Sequence, residues 1–269
     1  MSADHRLAVT RADKVENISQ SVRWLPFLRS PWQLEASLLA LARRRRKLDP
    51  LGHHPPGGNL LTLYIDAYWI SPYAFSAFVA LREKELQFEV KTMDLSQKAQ
   101  QDPQFQRWSV TGRIPALLHD EFGLAESSAI VEYLEEAFPD APRLLPQQRQ
   151  ERARARQVMG WIRSDLMALR EERSTHTMFY QHTDKPLSLA GDLARQRLIR
   201  VAEQLLPPNQ PNLFAQWSIA DADLAFMLQR LVLNGDSVPG RLKAYANAQW
   251  QRPSIQAFVH NERPVYVPY

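Results

Sequence analysis

Two apolar strand patterns spaced around one helix constrain this chain more than any other feature. "LLTLYID", Leu60 to Asp66, is a short apolar strand. Pro72 to Lys84 carries Phe75, Phe78, Val79 and Arg82 at i, i+3, i+4 and i+7, an inward stripe that runs until the last turn. "LQFEVKTM" then alternates through Leu86, Phe88 and Val90 as a second strand. A strand, a helix and a strand within about 30 residues form a βαβ crossover, so the two strands should run parallel. Residues 97–111 are polar and irregular, with a short helix expected around Phe105. "RIPALLHDEFGLAESSAIVEYLEEAF" follows as strand, tight turn, strand and helix, with "HDEFG" the hairpin connection between Leu118 and Leu124. That helix starts near Ser127 or Ser128 and shows Ile130, Val131, Leu134 and Phe138 on one face. Residues 60–141 therefore read as an α/β domain, βαβ then ββα, with a four-stranded mixed sheet.

"PDAPRLLPQQR" is a proline-rich linker, and residues 142–269 read as an all-α helical bundle. One long helix is expected from about Gln148 through "ARARQVMGWIRSDLMALREER", and another over roughly Ser188–Leu205. A third opens on a capping-box-like Ser218-x-x-Asp221 and closes at Gly235. Residues 1–59 stand apart. Ser30 caps and Pro31 starts an amphipathic helix ending in Arg43, Arg44, Arg45, Arg46 and Lys47, and "DPLGHHPPGGN" is a linker. This segment is expected to be a basic, poorly ordered extension, with a translation start set too far upstream as one account of it. Its contact with a membrane surface or nucleic acid is the alternative.

Charge and cysteine narrow the function. Residues 1–59 hold 10 Lys+Arg against 5 Asp+Glu, and the remaining 210 hold 23 against 24. The main body is thus not basic, which speaks against nucleic acid as its partner. There is no cysteine, so disulfides, thiolate metal sites and a Cys-x-x-Cys centre are excluded, and any thiol must arrive with a ligand. The seven histidines show no metal-ligand spacing, and no metal is expected. No apolar run reaches the roughly 18 residues of a membrane span. Nor does the N-terminus read as a signal peptide, so a cytoplasmic location is expected.

The order of these elements, with Ser71-Pro72-Tyr73 after the first strand, "GRIPAL" opening the third, "ESSAI" opening the third helix and "SIADADLA" at 218–225, resembles the glutathione transferases. The resemblance covers residues 60–269, and its Ser-Pro-Tyr form looks like the serine-type classes. The "RSDLMALREER" segment is similar to the YfcF-like bacterial group. It implies a thioredoxin-like N-terminal domain, glutathione as co-substrate and a homodimer.

On its own letters Ser71-Pro72 is a plain helix start. With the resemblance, Ser71 is expected to stabilise the glutathione thiolate, although a hydroxyl bound to sulfur would compete with its role as a cap. Tyr68 and Tyr73 are alternative donors. If the Ile114–Pro115 bond is cis, the Ile114 backbone is open to pair with an extended peptide as an added strand. Ser127, at a helix N-terminus, suits the γ-glutamyl carboxylate and Glu126 its ammonium. Arg113, and less directly Lys98, are candidates for the glycine carboxylate. Each has a bland reading as a solvated charge, a strand entry or a helix start.

The electrophile pocket is expected between the domains, with Trp161, Asp165, Met167 and Leu169 on its wall. The absence of cysteine excludes an omega-type protein thiol and the Ser-Ser-Cys pattern of zeta-type isomerases. It thereby argues against maleylacetoacetate isomerisation. The expected function is conjugation of glutathione to soft electrophiles, with glutathione-dependent peroxide or disulfide reduction as related chemistry. The alternative is a non-catalytic interaction module on the same fold.

Overall fold

β1 (Leu61–Asp66) is buried at all six positions. It lies inside a sheet of order β2-β1-β3-β4. A strand covered on both faces reads as a nearly unbroken apolar run rather than an alternating one. It pairs parallel with β2 (Glu89–Met93), Leu63 beside Val90, and antiparallel with β3 (Ala116–His119), Leu63 opposite Leu117. β3 and β4 (Phe122–Ala125) complete the sheet as a hairpin. The mixed four-stranded sheet expected from the spacing is the one observed. β2 starts three residues later than its alternation suggested, because Leu86 and Phe88 pack against the core before the pairing begins.

The crossover helix α1 (Pro72–Glu83) is buried without a break from Ala74 to Leu81. Helix α3 (Ser127–Ala137) packs on it from the sheet side of the chain, and α8 (Ile219–Val232) and α10 (Pro253–Val259) pack on it from the helical part. α2 (Pro103–Trp108) is the short helix expected around Phe105, and its cap Asp102 accepts from the Gln104 and Phe105 N–H groups at 2.8 and 3.1 Å. It covers the other sheet face, where Tyr64, Met93, Phe105, Ala116 and Ala125 form a second, smaller cluster.

The single long helix expected from Gln148 divides instead into α4 (Arg149–Ser164), α5 (Met167–Glu172) and α6 (Thr175–Phe179). The break falls at Asp165 and Leu166. Leu166 sits at φ +63°, and the Asp165 carboxylate accepts its N–H at 2.7 Å together with Trp161 Nε1 at 3.1 Å. A short acidic side chain that captures a backbone N–H removes that group from the helical ladder. α7 (Leu189–Leu205) and α9 (Gly240–Trp250) flank α8, the most buried helix, in which every residue from Ile219 to Leu231 is enclosed. The expected cap of α8 is present: Asp221 accepts from Ser218 N–H at 2.9 Å, and also from Leu213 N–H at 2.7 Å and Tyr245 O–H at 2.9 Å. Its far end closes as expected on Gly235 at φ +76°, with Asp236 N–H returning to Leu231 O at 3.0 Å.

The computed structural model describes residues 60–268, and the helix and linker expected within residues 1–59 lie outside the described residues. Among the described residues no helix is long and apolar enough to cross a membrane.

Candidate functional site

Strand register gathers the sequence candidates at one end of the sheet. Tyr64 faces Ala116 and Ala116 faces Ala125. The C-terminal end of β1, the Ile114-Pro115 entry to β3 and the Glu126-Ser127 exit from β4 therefore lie side by side.

β1 ends in the fully buried Asp66, whose carboxylate accepts from Ile70 N–H at 2.9 Å and Ser71 N–H at 3.2 Å. Burial pushes its pKa up, while these two bonds and the Arg263 charge oppose the shift. The turn passes through Trp69 at φ +52°, and Arg263 from the C-terminal segment donates to the Trp69 carbonyl at 3.2 Å. Ser71 then caps α1, its Oγ accepting Ala74 N–H at 3.2 Å. A hydroxyl has one proton and two lone pairs, so accepting this bond leaves the O–H free to donate.

The Ile114–Pro115 peptide is cis. Ile114 makes no backbone hydrogen bond among the described residues. The preceding residue is clamped: buried Ser109 accepts from Arg113 N–H at 3.0 Å and donates to Arg113 O at 2.7 Å. The Arg113 side chain itself is exposed, as is Lys98, which sits at φ +58° between two short 3-10 turns. Neither forms an ion pair among the described residues.

Glu126 is exposed at φ +73°, ψ 113°, a backbone state that costs a non-glycine residue on the order of 1–3 kcal/mol. It is followed by Ser127, only 3% exposed, at the first turn of α3. Ser127 Oγ accepts from Arg163 Nε and Nη2 at 3.3 and 3.2 Å. The same guanidinium donates to Ser76 Oγ of α1 at 3.0 Å and to the Asp223 carboxylate of α8 at 2.7 Å. Arg163 thus ties four helices together at the position expected to receive a carboxylate. Sequence reasoning missed it. The available signal was an arginine next to the buried stripe Val158, Met159 and Ile162, and an aspartate inside the otherwise apolar "ADLAFMLQ".

Beside Pro72 and Tyr73 lies a small cavity of about 20 Å³ walled by Ile162, Phe226 and Met227 together with Arg163, Arg170, Asp223 and Arg230. Arg170 donates to Tyr73 O–H oxygen at 2.5 Å. Burial and the Arg170 charge push the Arg230 pKa down to about 9. None of Trp161, Asp165, Met167 and Leu169 walls this cavity. Trp161 instead lines a groove of about 490 Å³ with Val201, Leu205 and Phe214, Asp165 pairs with Arg197 at 3.0 Å, Leu169 is core, and Met167 is 55% exposed. Tyr68 is buried with its ring 5.2 Å from Tyr266, and among the described residues no cluster of three or more His, Asp or Glu side chains is placed to hold a metal ion.

Two family models match the chain: "Glutathione S-transferase, N-terminal domain" over residues 61–136 and "Glutathione S-transferase, C-terminal domain" over residues 148–262. The crystal structure of a glutathione transferase homologue from Burkholderia gl BGR1, with bound glutathione, is 42% identical. It aligns with 74% of this chain and 96% of its own at a TM-score of 0.61. Glutathione S-transferase 1 of Dianthus caryophyllus is 37% identical over 103 residues, 38% of this chain and 46% of that protein. A probable maleylacetoacetate isomerase of Vibrio cholerae is 34% identical over 109 residues, 40% of this chain and 50% of that protein. The matched stretch spans about half the length of these two curated relatives.

Proposed function

The chain belongs to the glutathione S-transferase family, and from that premise we propose that it binds glutathione at the β1–β3–β4 end of the sheet, with Ser71 in a serine-type role. Ser71 O–H donates to the sulfur and favours the thiolate, the thiol proton passing to solvent; the thiolate then attacks a soft electrophile, either adding across an activated double bond that takes up a proton from water or displacing a leaving group as its anion. The observation that carries this reading is the geometry at Ser71: a hydroxyl whose oxygen caps α1 through Ala74 N–H still has its proton to give. Lowering a thiol pKa by about two units needs roughly 2.7 kcal/mol of preference for the anion. One hydrogen bond to a charged group supplies about 1.5–3 kcal/mol, and the N-terminal end of α1 adds a few tenths to 1 kcal/mol.

The remaining roles follow the same end of the sheet. The Ile114 backbone pairs with the peptide as an added strand beside β3, with Pro115 shaping its entry. Ser127 and the first N–H groups of α3 take the γ-glutamyl carboxylate, and Arg163 holds the Ser127 hydroxyl oriented for it. Glu126 takes the ammonium. Arg113 is assigned to the glycine carboxylate ahead of Lys98, because its backbone is pinned by Ser109. Transfer is favoured over isomerisation. The chain holds no cysteine, which the Ser-Ser-Cys pattern of zeta-type isomerases needs. A cytoplasmic homodimer composed of an α/β domain at 60–141 and a helical domain at 142–269 completes the proposal.

The test is the ultraviolet thiolate absorbance of glutathione bound to the full chain, titrated with pH. Wild type should show a depressed thiol pKa, and Ser71→Ala should return it by one to two units towards the free value of about 8.5. Binding without depression in wild type would remove Ser71 from the chemistry, and absence of binding would leave the interaction-module reading.

A further inference from the structure

The cavity behind Tyr73 has an unusual charge inventory. Three arginines and one aspartate are among the residues that line it: Arg163, Arg170 and Arg230 against Asp223. Arg163 is paired with Asp223 at 2.7 Å. Arg170 and Arg230 have no carboxylate partner among the described residues. Arg170 donates one N–H to the Tyr73 oxygen and one to Arg163 O at 2.9 Å, and a guanidinium has five N–H groups to give. Arg230 is 2% exposed, and it donates through Nη1 to Arg173 O at 2.7 Å, a cap on the end of α5. Its Nε is buried and has no acceptor. Capping explains one edge of this side chain and leaves the other unexplained.

Buried donors without acceptors are rare, and a buried guanidinium without an anion beside a second cation is rarer still. Both features are relieved by one event, the arrival of an anionic oxygen. The cavity of about 20 Å³ has room for one water-sized group, so it suits the head of a molecule and not its body. Pro72 and Tyr73 on its wall directly follow Ser71, so a molecule anchored here has its remainder beside the start of α1.

We propose that Arg170 and Arg230 form a carboxylate-binding subsite and that the second substrate is an electrophile carrying a carboxylate. This deepens the glutathione transferase reading and rests on it. A guanidinium N–H donating to one carboxylate oxygen makes a charge-assisted bond, shorter and stronger than a neutral one.

The experiment compares 3-nitrobenzoate with 3-nitrobenzamide, an anion and a neutral molecule of nearly equal shape, binding to the full chain by calorimetry with and without glutathione. The acid should bind about tenfold or more tightly than the amide, from charge-assisted bonds that the amide cannot make. Arg170→Gln and Arg230→Gln should each reduce that preference towards unity. Circular dichroism verifies the fold of each variant, and the half-buried Arg170 keeps the test available if Arg230→Gln does not fold. Arg200→Gln, on the exposed face of α7, should leave the preference unchanged. The subsite is overturned by equal binding of acid and amide in wild type. It is equally overturned if the preference persists in both variants, or if Arg200→Gln lowers it as much, which would mean bulk charge alone. Failure to bind glutathione itself, with the acid preference intact, would sink the transferase reading and leave the anion subsite standing.

Discussion

At Ser71 one oxygen accepts from Ala74 N–H and keeps a proton for a ligand. Its removal should therefore have two separable effects. Ser71→Ala should cost about 1 kcal/mol in urea unfolding from the lost cap, while the thiolate pKa shift appears only with glutathione bound. A variant showing the first without the second would mark Ser71 as a cap alone. Glu126 presents the opposite trade. Its φ of +73° is tolerated by glycine, so Glu126→Gly should raise the unfolding free energy by about 1 kcal/mol while weakening glutathione binding. Strain kept at a charged residue beside the proposed ligand is what a binding role would explain. At Arg230 burial lowers the folded pKa to about 9, well below that of the free group. Between those values the unfolded chain binds the extra proton, so this group's contribution to stability rises with pH. The unfolding free energy of wild type relative to Arg230→Met should shift in favour of wild type as pH goes from 8 to 10.5, by no more than about 1.4 kcal/mol per unit. A flat difference would mean that the guanidinium is solvated.

Arg163 joins elements that have no sequence proximity. Removing it strands Asp223, whose side chain is 5% exposed, and the hydroxyls of Ser76 and Ser127. Arg163→Ala should cost about 3–5 kcal/mol, and a paired Arg163→Met with Asp223→Leu should recover most of it, because the loss comes from an uncompensated buried charge. Additive losses in that cycle would refute the coupling. The packing of α2 on the β3–β4 hairpin depends on Gly123, where a Cβ would fall 2.4 Å from the Trp108 Cα. Gly123→Ala should destabilise by about 1–3 kcal/mol through a forced shift of backbone against backbone. Helix starts were legible in the chain because caps are local: Ser71-Pro72, and Ser218 with Asp221, act within four residues. The end of α4 was not legible. Residues 148–173 keep helical composition throughout, and the break depends on the Asp165 carboxylate being held by Trp161 and by Arg197, 32 residues away.

One apolar core runs from Leu61 through α1 and α8 to Phe258, so the sheet and the helical bundle share a single buried surface. Glu83 reinforces the join, bonding Arg252 Nη2 at 2.7 Å and the Ser254 hydroxyl. Urea unfolding followed by far-ultraviolet circular dichroism and by tryptophan fluorescence should give coincident midpoints. Separated midpoints would mean that the shared core does not couple the two halves. Periodicity was enough to read the βαβ and ββα order, the mixed sheet and the helical second half, since strand alternation, helical stripes and caps are written in neighbouring residues. It was also enough to place Ser71, Ile114-Pro115 and Glu126-Ser127 at the boundaries of elements. What it could not supply was the company those residues keep. Arg163 reaches Ser127 across 36 positions and Asp223 across 60. Arg230 and Arg170 meet behind Tyr73, again 60 positions apart. Such meetings arise when independent helices pack, and packing is set by the sum of many weak contacts along each face, which no local pattern of residues encodes.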